Sequence, residues 1–541
     1  MIKIKHKQRA NLPVLAKIVG AGALMLPLYS QAIQLKLNDS AAQGFVDTTI
    51  ALGGIWRTED PDRNLNASNL NFEQSGELVS TPLKMTIEAG YSKNSKGVFV
   101  RGSYIYDAKI QAMDSNSAII TPEGQDEIGN KFQLLDAFVY GNFGFDENVL
   151  SVRVGNQVLS WGESTYISNS LNSINPVDIT KARGAAVETK EILLPLPIVW
   201  TSLDFGGQFS VDAYYVAGWK ETIIDPVGTF FSTKDVVGEG ALPITIAAQL
   251  GPFGMVPRGP DVEADDGGEF GFAFRTLVED WAYMEVAFYY MRQHGHAPFL
   301  QVTHASEVIP AAALPAGSPI TPNFSTASYQ LAYPEDIDVY GASFNVDLPG
   351  ELGLSLGGEV SYRPDMPLSL GEAAFGLLAT PLLGTTVEGF SRGDLTQVQT
   401  TLTYQGGSNN WFGADKMTLL LEPGLVFADI PTGGTFDEAA FSAMDEVSWG
   451  YVALVKVEYS DALFDMSLEP SATFKHDVSG TSPGAPSGTF LQDRKSLTLA
   501  MTATYLTSST LDIGYTVNWG NEDANLDHDR DFFALTAKHS F

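Results

Sequence analysis

The chain has 541 residues, 64 of them acidic and 32 basic, for a net charge of −32, and it contains no cysteine. So large an acidic excess argues against nucleic acid as a partner, and the lack of cysteine excludes a small disulfide-stapled secreted scaffold. Apolar residues make up 44 % of the chain, yet beyond the N-terminus no run approaches the about eighteen consecutive apolar residues of a membrane-spanning helix.

The first element in the chain is a leader. Lys3, Lys5, Lys7 and Arg9 precede an apolar stretch from Leu12 to Leu28 and then Ser30-Gln31-Ala32, the layout of a secretory signal peptide cleaved after Ala32. An N-terminal membrane anchor is the competing reading, and Lys17 inside the apolar stretch speaks against it. Removal of residues 1–32 would leave 27 basic against 64 acidic side chains, a net charge of −37.

From Phe45 to Phe541 the pattern is short segments of alternating apolar and polar residues. In Phe209 to Trp219, Phe209, Val211, Ala213, Tyr215, Ala217 and Trp219 share one face, with Ser210, Asp212, Tyr214 and Gly218 on the other and Val216 the apolar exception. Period two is the pleat of a strand. Leu354, Leu356, Val360 and Tyr362 alternate with Ser355, Glu359 and Arg363, and Leu511 to Trp519 repeats the pattern, whereas Phe270 to Thr276 and Tyr451 to Tyr459 are less regular.

The connections alternate too. Ser92–Gly97, Phe143–Asn148, Asp204–Gln208, Val278–Trp281, Leu348–Leu352, Ser460–Ala462 and Leu506–Thr510 are short, Gln405–Lys416 is somewhat longer, and the segments between are long and polar. Together these features predict one all-β domain over residues 33–541. It is a transmembrane antiparallel β-barrel of about eighteen strands, or sixteen, with short periplasmic turns and long outer loops.

Assigning strand residues by face puts Arg101, Arg153, Asp212, Arg275, Glu285, Glu359 and Arg363 in the lumen, together with Lys84, Lys456, Lys538, Glu88, Glu422, Glu458, Asp465, Glu469 and Asp512, so both signs are represented. The excess acid falls mainly in loops such as Asp261–Glu269, Asp437–Glu446 and Glu522–Asp531. There divalent cations could bridge it to lipopolysaccharide, although plain solvation of the rim is the favoured reading. Ile309 to Ser325 is rich in Pro, Ala and Ser and falls in a long outer loop. The last strand, Asp531 to Phe541, ends on an aromatic residue. That feature resembles the sorting signal read by the barrel assembly machinery, making that machinery and outer-membrane lipid the expected partners.

The densest cluster of special residues runs from Val154 to Asp235. It reads V-G-N-Q-V-L-S-W-G-E-S-T-Y-I-S-N-S-L-N-S-I-N-P-V-D, then L-L-P-L-P-I-V-W, then W-K-E-T-I-I-D-P-V-G-T-F-F-S-T-K-D. Its W-G-E-S, I-N-P-x-D and D-P-x-G-x-x-F-S steps, in that order, resemble the domain-of-unknown-function 1302 family of proteobacterial outer-membrane barrels. Gly271 to Phe299, Tyr362 to Pro367 and the opening strand Phe45 to Arg57 extend the likeness over most of the chain. The resemblance implies an outer-membrane barrel, often associated with a periplasmic lipoprotein-carrier-like protein and an inner-membrane transporter, and with hydrophobic or lipid-like cargo.

Counting connections makes Trp161 to Glu191 the third outer loop, rich in Ser and Asn whose side chains can hold turns. General porins fold their third loop into the pore. On that analogy Trp161, Glu163, Asn172, Asn175, Asp178, Lys181 and Arg183 form a constriction or plug that sets a transverse field. The competing reading is that Trp161, Gly162, Asn175 and Asp178 only staple the loop to the wall. Asp225-Pro226-Val227-Gly228 reads as a tight structural turn.

No G-x-S-x-G elbow is present, and paired carboxylates are abundant only because acid is. His294, His296 and His304 form the one histidine cluster, in what reads as a flexible outer loop without an ordered carboxylate, so no metal or cofactor is expected. The function read from the sequence is a channel, or the outer conduit of an envelope transport route for hydrophobic or lipid-like molecules, gated by residues 161–191. The alternatives are a general diffusion pore for polar solutes and a non-transport adhesin or scaffold. An enzyme is not expected, although an embedded hydrolase built from separate strands would escape this reading.

Overall fold

The computed structural model describes residues 33–35, 41–113, 118–184, 187–310, 314, 321–350, 352–369, 383–431, 444–484 and 488–541. The expected leader lies outside them, as do much of the 309–325 stretch and most of the 437–446 acidic run.

Among the described residues, eighteen long strands form the wall. They are β1 (Ala42–Arg57), β2 (Pro82–Lys93), β3 (Lys96–Asp107), β4 (Asn130–Phe145), β5 (Asn148–Gln157), β6 (Leu196–Phe205), β7 (Phe209–Val216), β8 (Phe270–Val278), β9 (Met284–Gln293), β10 (Ile337–Asp347), β11 (Leu354–Ser369), β12 (Phe390–Gly406), β13 (Lys416–Ala428), β14 (Val447–Leu463), β15 (Met466–Ser479), β16 (Lys495–Tyr505), β17 (Ser509–Trp519) and β18 (Phe532–Ser540). Each pairs antiparallel with the next, and β18 pairs back onto β1, with Thr49 opposite Ser540 and Arg57 opposite Phe532. Phe541 adds two backbone bonds to Thr48, at 2.8 and 2.9 Å. Closure matters because an open sheet edge would leave backbone groups unpaired in hydrocarbon, at several kcal/mol each.

The two faces follow the predicted period. On β2 the side chains of Leu83, Met85, Ile87 and Tyr91 are exposed outward, while Lys84 and Thr86 are buried inward. On β7 Val211 and Tyr215 face out, and Asp212, Tyr214 and Val216 face in. The two less regular segments are β8 and β14, which completes eighteen strands rather than sixteen.

Short turns join the strands at one end, several of them with both central residues at positive φ, as at Gly206-Gly207 (62° and 76°) and Phe464-Asp465 (51° and 60°). Such turns twist in the same sense as the strands they join. The polar Ser460-Asp461-Ala462 is not the turn expected there. The pairing of β14 with β15 shifts register between Tyr459 and Leu463, and Asp461 sits at φ 51°, so these residues form a bulge and the turn follows it.

At the other end a three-stranded sheet, Phe299–Thr303 with Ser328–Ala332 and Thr386–Val387, packs over the outer ends of β11 to β14. Among the described residues no helix is long and apolar enough to cross a membrane. A closed barrel with an apolar outer band and a polar interior crosses with its strands, and the protein is an outer-membrane β-barrel.

Candidate functional site

The β5–β6 connection (loop L3), described over residues 158–184 and 187–195, enters the lumen, and its course follows from what the wall offers it. Two buried wall carboxylates hold its first half. Glu359 on β11 accepts from the backbone N–H groups of Glu163 (2.5 Å), Ser164 (3.0 Å) and Leu171 (3.3 Å), and from the Gln399 amide at 3.0 Å. Glu422 on β13 accepts from the N–H groups of Thr165 (2.9 Å), Tyr166 (2.8 Å) and Ile167 (2.5 Å), and from the Thr401 hydroxyl at 2.7 Å. A loop inside a barrel cannot pair its backbone as a strand does, so wall side chains must satisfy it.

Local sequence makes the fit possible. Gly162 sits at φ 92°, and a Cβ there would collide with the Glu359 carboxylate. On β10, a Cβ on Gly341 would collide with the side chain of Leu171. Trp161, 2 % exposed, stands edge-on to Tyr214 at 5.0 Å and lies 5.6 Å from Tyr289.

The expected loop residues divide by what they touch. Asn175 accepts from Leu159 N–H at 2.9 Å and donates to the Leu194 carbonyl at 2.8 Å, tying the two ends of the loop together. Asp178 is buried, 3.2 Å from Lys181, whose ammonium also meets Gln133 on β4. The Glu163 carboxyl accepts from Asn345 at 2.7 Å and is raised by burial. Asn172 is half-buried. Arg183 pairs with Asp225 and lies 4.8 Å over the Phe231 ring. The end of the loop docks on β2 and β3, where Glu191 meets Lys84, Thr86 (3.0 Å) and Ser103 (2.6 Å), and Lys190 meets Glu88 at 2.6 Å.

Of the expected lumen charges, Arg101, Arg153, Asp212, Arg275, Glu285, Glu359 and Arg363 all face inward, and most are engaged. Arg101 bridges Glu88 (2.9 Å) and Asp136 (2.6 Å). Arg275 pairs with Asp212 and lies 3.8 Å from Glu285. Arg153 stacks over Trp200 at 4.6 Å, and Arg363 donates to the Ser170 carbonyl of L3 at 2.5 Å.

The Asp225-Pro226-Val227-Gly228 turn anchors the next loop. Ten residues on, Asp235 accepts from the N–H groups of Ala67 (2.6 Å) and Ser68 (3.2 Å), clamping the β7–β8 loop onto the β1–β2 loop.

The histidines correct the expectation of a flexible loop, because His294, His296 and His304 are all buried. His296 sets its ring nitrogens against the carbonyls of Lys220 (2.8 Å) and Ile174 (3.1 Å), and a buried carboxylate, Glu269, lies 3.6 Å away. Burial pushes the Glu269 carboxyl up to about 7 and the His296 imidazole down to about 4. Among the described residues no cluster of ligands could hold a metal ion.

What L3 leaves open is a cavity of about 670 Å³ between Tyr166, Ala182, Arg183, Gly184 and Val187 on one side and β14 to β18 on the other. Hydroxyls dominate that wall, from Thr473, Ser496, Thr498, Thr502, Thr516 and Thr536. Its charged residues are Arg183, Lys475, Arg530 and Lys538 against Asp512 and Asp527. Of the seven expected loop residues only Arg183 lines it, and of the charges assigned to the wet face only Asp512 and Lys538 do. Lys475, Asp527 and Arg530 escaped the sequence reading. The alternation in Ser471, Thr473 and Lys475 is a signal that could have found Lys475, although the outward His476 blurs it.

Similar solved structures include three bacterial proteins, two of them described as outer-membrane proteins. OccAB1 of Acinetobacter baumannii is 10 % identical over 94 % of this chain and 99 % of that one (TM-score 0.47). OpdK of Pseudomonas aeruginosa is 8 % identical over 92 % and 98 % (TM-score 0.43). The channel DcaP of Acinetobacter baumannii is 10 % identical over 94 % and 100 % (TM-score 0.37). No curated protein matches the sequence. A family model described as "Protein of unknown function (DUF1302)" matches residues 14–541, nearly the whole length, and the chain belongs to that family.

Proposed function

We propose that the protein is a passive, porin-like channel of the outer membrane whose passage runs through the cavity between L3 and β14 to β18. The observation that carries this reading is the lopsided fastening of L3. Buried carboxylates on β11 and β13 clasp its backbone and β2 and β3 hold its end, while the stretch of wall between these anchors presents rows of hydroxyls to open space. A wall of that kind is wetted by water and supports small polar or amphipathic solutes better than a lipid-like cargo. The six backbone clasps support a fixed constriction better than a swinging gate.

The test is single-channel conductance of the refolded chain in a planar bilayer, intact and with residues 163–190 replaced by a short Gly/Ser linker. Conductance from the intact protein, larger in the replaced form, is the expected result. An intact form that is silent and opens on replacement would make L3 a plug. Silence from both, with folding confirmed, would favour a scaffold.

One observation favours the conduit reading, with a carrier-like periplasmic partner and an inner-membrane transporter, as the second. Five successive short turns, from β8–β9 to β16–β17, carry exposed apolar tips: Trp281, Leu352, Trp411 (89 % exposed), Phe464 and Leu506. The tips at Asn94, Asp146 and Gly206 on the remaining turns are polar or bare. If a partner docks there, replacing Trp411 and Phe464 with Ser abolishes cargo movement in cells and leaves bilayer conductance intact.

A further inference from the structure

We infer that the cavity beside β14 to β18 is a binding site for small organic anions with a compact apolar body, and that Lys475 is the residue that receives the anionic group. This rests on the channel reading above and names the solute class for the same space.

The charge on the cavity surface runs opposite to that of the chain. Acids outnumber bases two to one overall, 64 to 32, yet the cavity is lined by four basic side chains and two acidic ones. Three of the four bases already have counter-charges. Arg183 pairs with Asp225, which is buried, whereas Arg530, itself only 1 % exposed, pairs with Asp529 and donates to the carbonyls of Phe230, Leu526 and Ser232. Lys538 is held between Glu188 and Asp512, both at 3.2 Å. Arg183, partly exposed, and Lys475 are therefore the lining cations open to a solute, and a cleft with low-dielectric walls concentrates their potential.

Lys475 differs from the other three. It stands exposed to the lumen on β15 and makes no hydrogen bond or ion pair with any described residue. The acids nearest to it in charge are engaged elsewhere, Asp477 by Arg494 at 2.6 Å and Glu422 by the L3 backbone. Asp527, on the β17–β18 loop, is the one opposing charge on the lining without such an engagement. Around Lys475 the surface offers hydroxyls from Thr473 and Ser496, which can donate to an anion, and apolar area from Tyr166, Val452, Phe231 and Phe532. A volume of about 670 Å³ admits one small molecule with its water and excludes a folded peptide or an extended lipid.

Two aromatic probes of similar size and opposite charge, 4-fluorobenzoate and 4-fluorobenzylammonium, test the inference by fluorine line broadening on the detergent-folded full-length chain. The benzoate is expected to broaden and the ammonium not. K475Q is expected to weaken benzoate binding about fivefold, the value of one charge pair at contact in water. K456Q, which removes a lumen lysine paired with Glu469 outside the cavity lining, should leave binding unchanged. Equal or stronger broadening of the ammonium, no broadening of either probe, or unchanged benzoate binding in K475Q overturns the assignment. Binding is read without current, so a protein that binds benzoate but does not conduct would refute the channel reading and leave the site standing. In bilayers under a salt gradient, an intact protein that conducts should prefer chloride to potassium, and K475Q should reduce that preference.

Discussion

Replacing Glu359 with Gln probes the fastening of L3 at a single atom. The carboxylate serves four donors, two on each oxygen: Glu163 and Ser164 N–H on Oε2, Leu171 N–H and Gln399 on Oε1. Gln converts one oxygen to a donor, so two of the four lose their acceptor whichever way the amide turns. Hydrogen bonds to a charged acceptor are each worth about 1.5–3 kcal/mol net. Lumen water can solvate the freed groups once the loop shifts, which brings the expected cost down to about 2–3 kcal/mol. At 1.4 kcal/mol per decade this raises the population of unfastened loop about 30- to 140-fold.

The readout exploits the absence of cysteine. Ser170, 1 % exposed in L3, is replaced by Cys, and its labelling by a small thiol reagent reports opening. Labelling of E359Q should accelerate by the same factor, while the barrel itself, closed by backbone pairing, keeps its resistance to cold SDS. Equal labelling rates with and without E359Q would refute the view that wall carboxylates hold the loop.

Three further outcomes follow from other contacts. Gly341→Ala places a methyl group against Leu171 and should cost about 1–3 kcal/mol of loop seating, seen as faster labelling at position 170 and a noisier channel current. Arg57 is fully buried and pairs with Asp529 at 2.9 Å, so Asp529→Ala leaves a buried charge without its partner. A loss of about 3–5 kcal/mol is expected, confined to amide-exchange protection where the β1–β2 and β17–β18 loops meet. Asp531 is raised to about 6, first by burial and further by Glu59 and Asp529. Because the shift is upward, the stability it contributes is complete below its ordinary value and is lost as pH rises through 6. Asp531→Asn should therefore match the parent near pH 4 and exceed it by up to about 3 kcal/mol at pH 8, and a difference independent of pH would contradict this account.

The wall was readable because lipid and water impose period two on every strand, and Val216 shows the limit of that reading. It looked like an error on a wet face, yet it is fully buried in the lumen against the apolar residues around Trp161. The rotation of short and long connections located L3, but only three-dimensional pairing shows that Glu359 and Glu422, far along the chain, receive its backbone. Within the loop, Asn175 and Asp178 are engaged in tying and pairing, and Arg183 reaches the cavity; nothing in their spacing distinguishes these roles. Asp527 and Arg530 lie in a loop without periodicity, and their place on the cavity depends on barrel closure. The buried His296 and Glu269 come from separate loops whose packing no local pattern encodes.

The asymmetric seating of L3 also separates two kinds of positions in one wall. Substitutions on β11 and β13 disturb the support of the loop, whereas those on the hydroxyl rows of β15 to β17 touch open space. A lineage acquiring a taste for new solutes could therefore edit Thr473, Ser496, Thr498 or Thr516 one at a time while the inner loop stays anchored, much as a lock is rekeyed without rehanging its door.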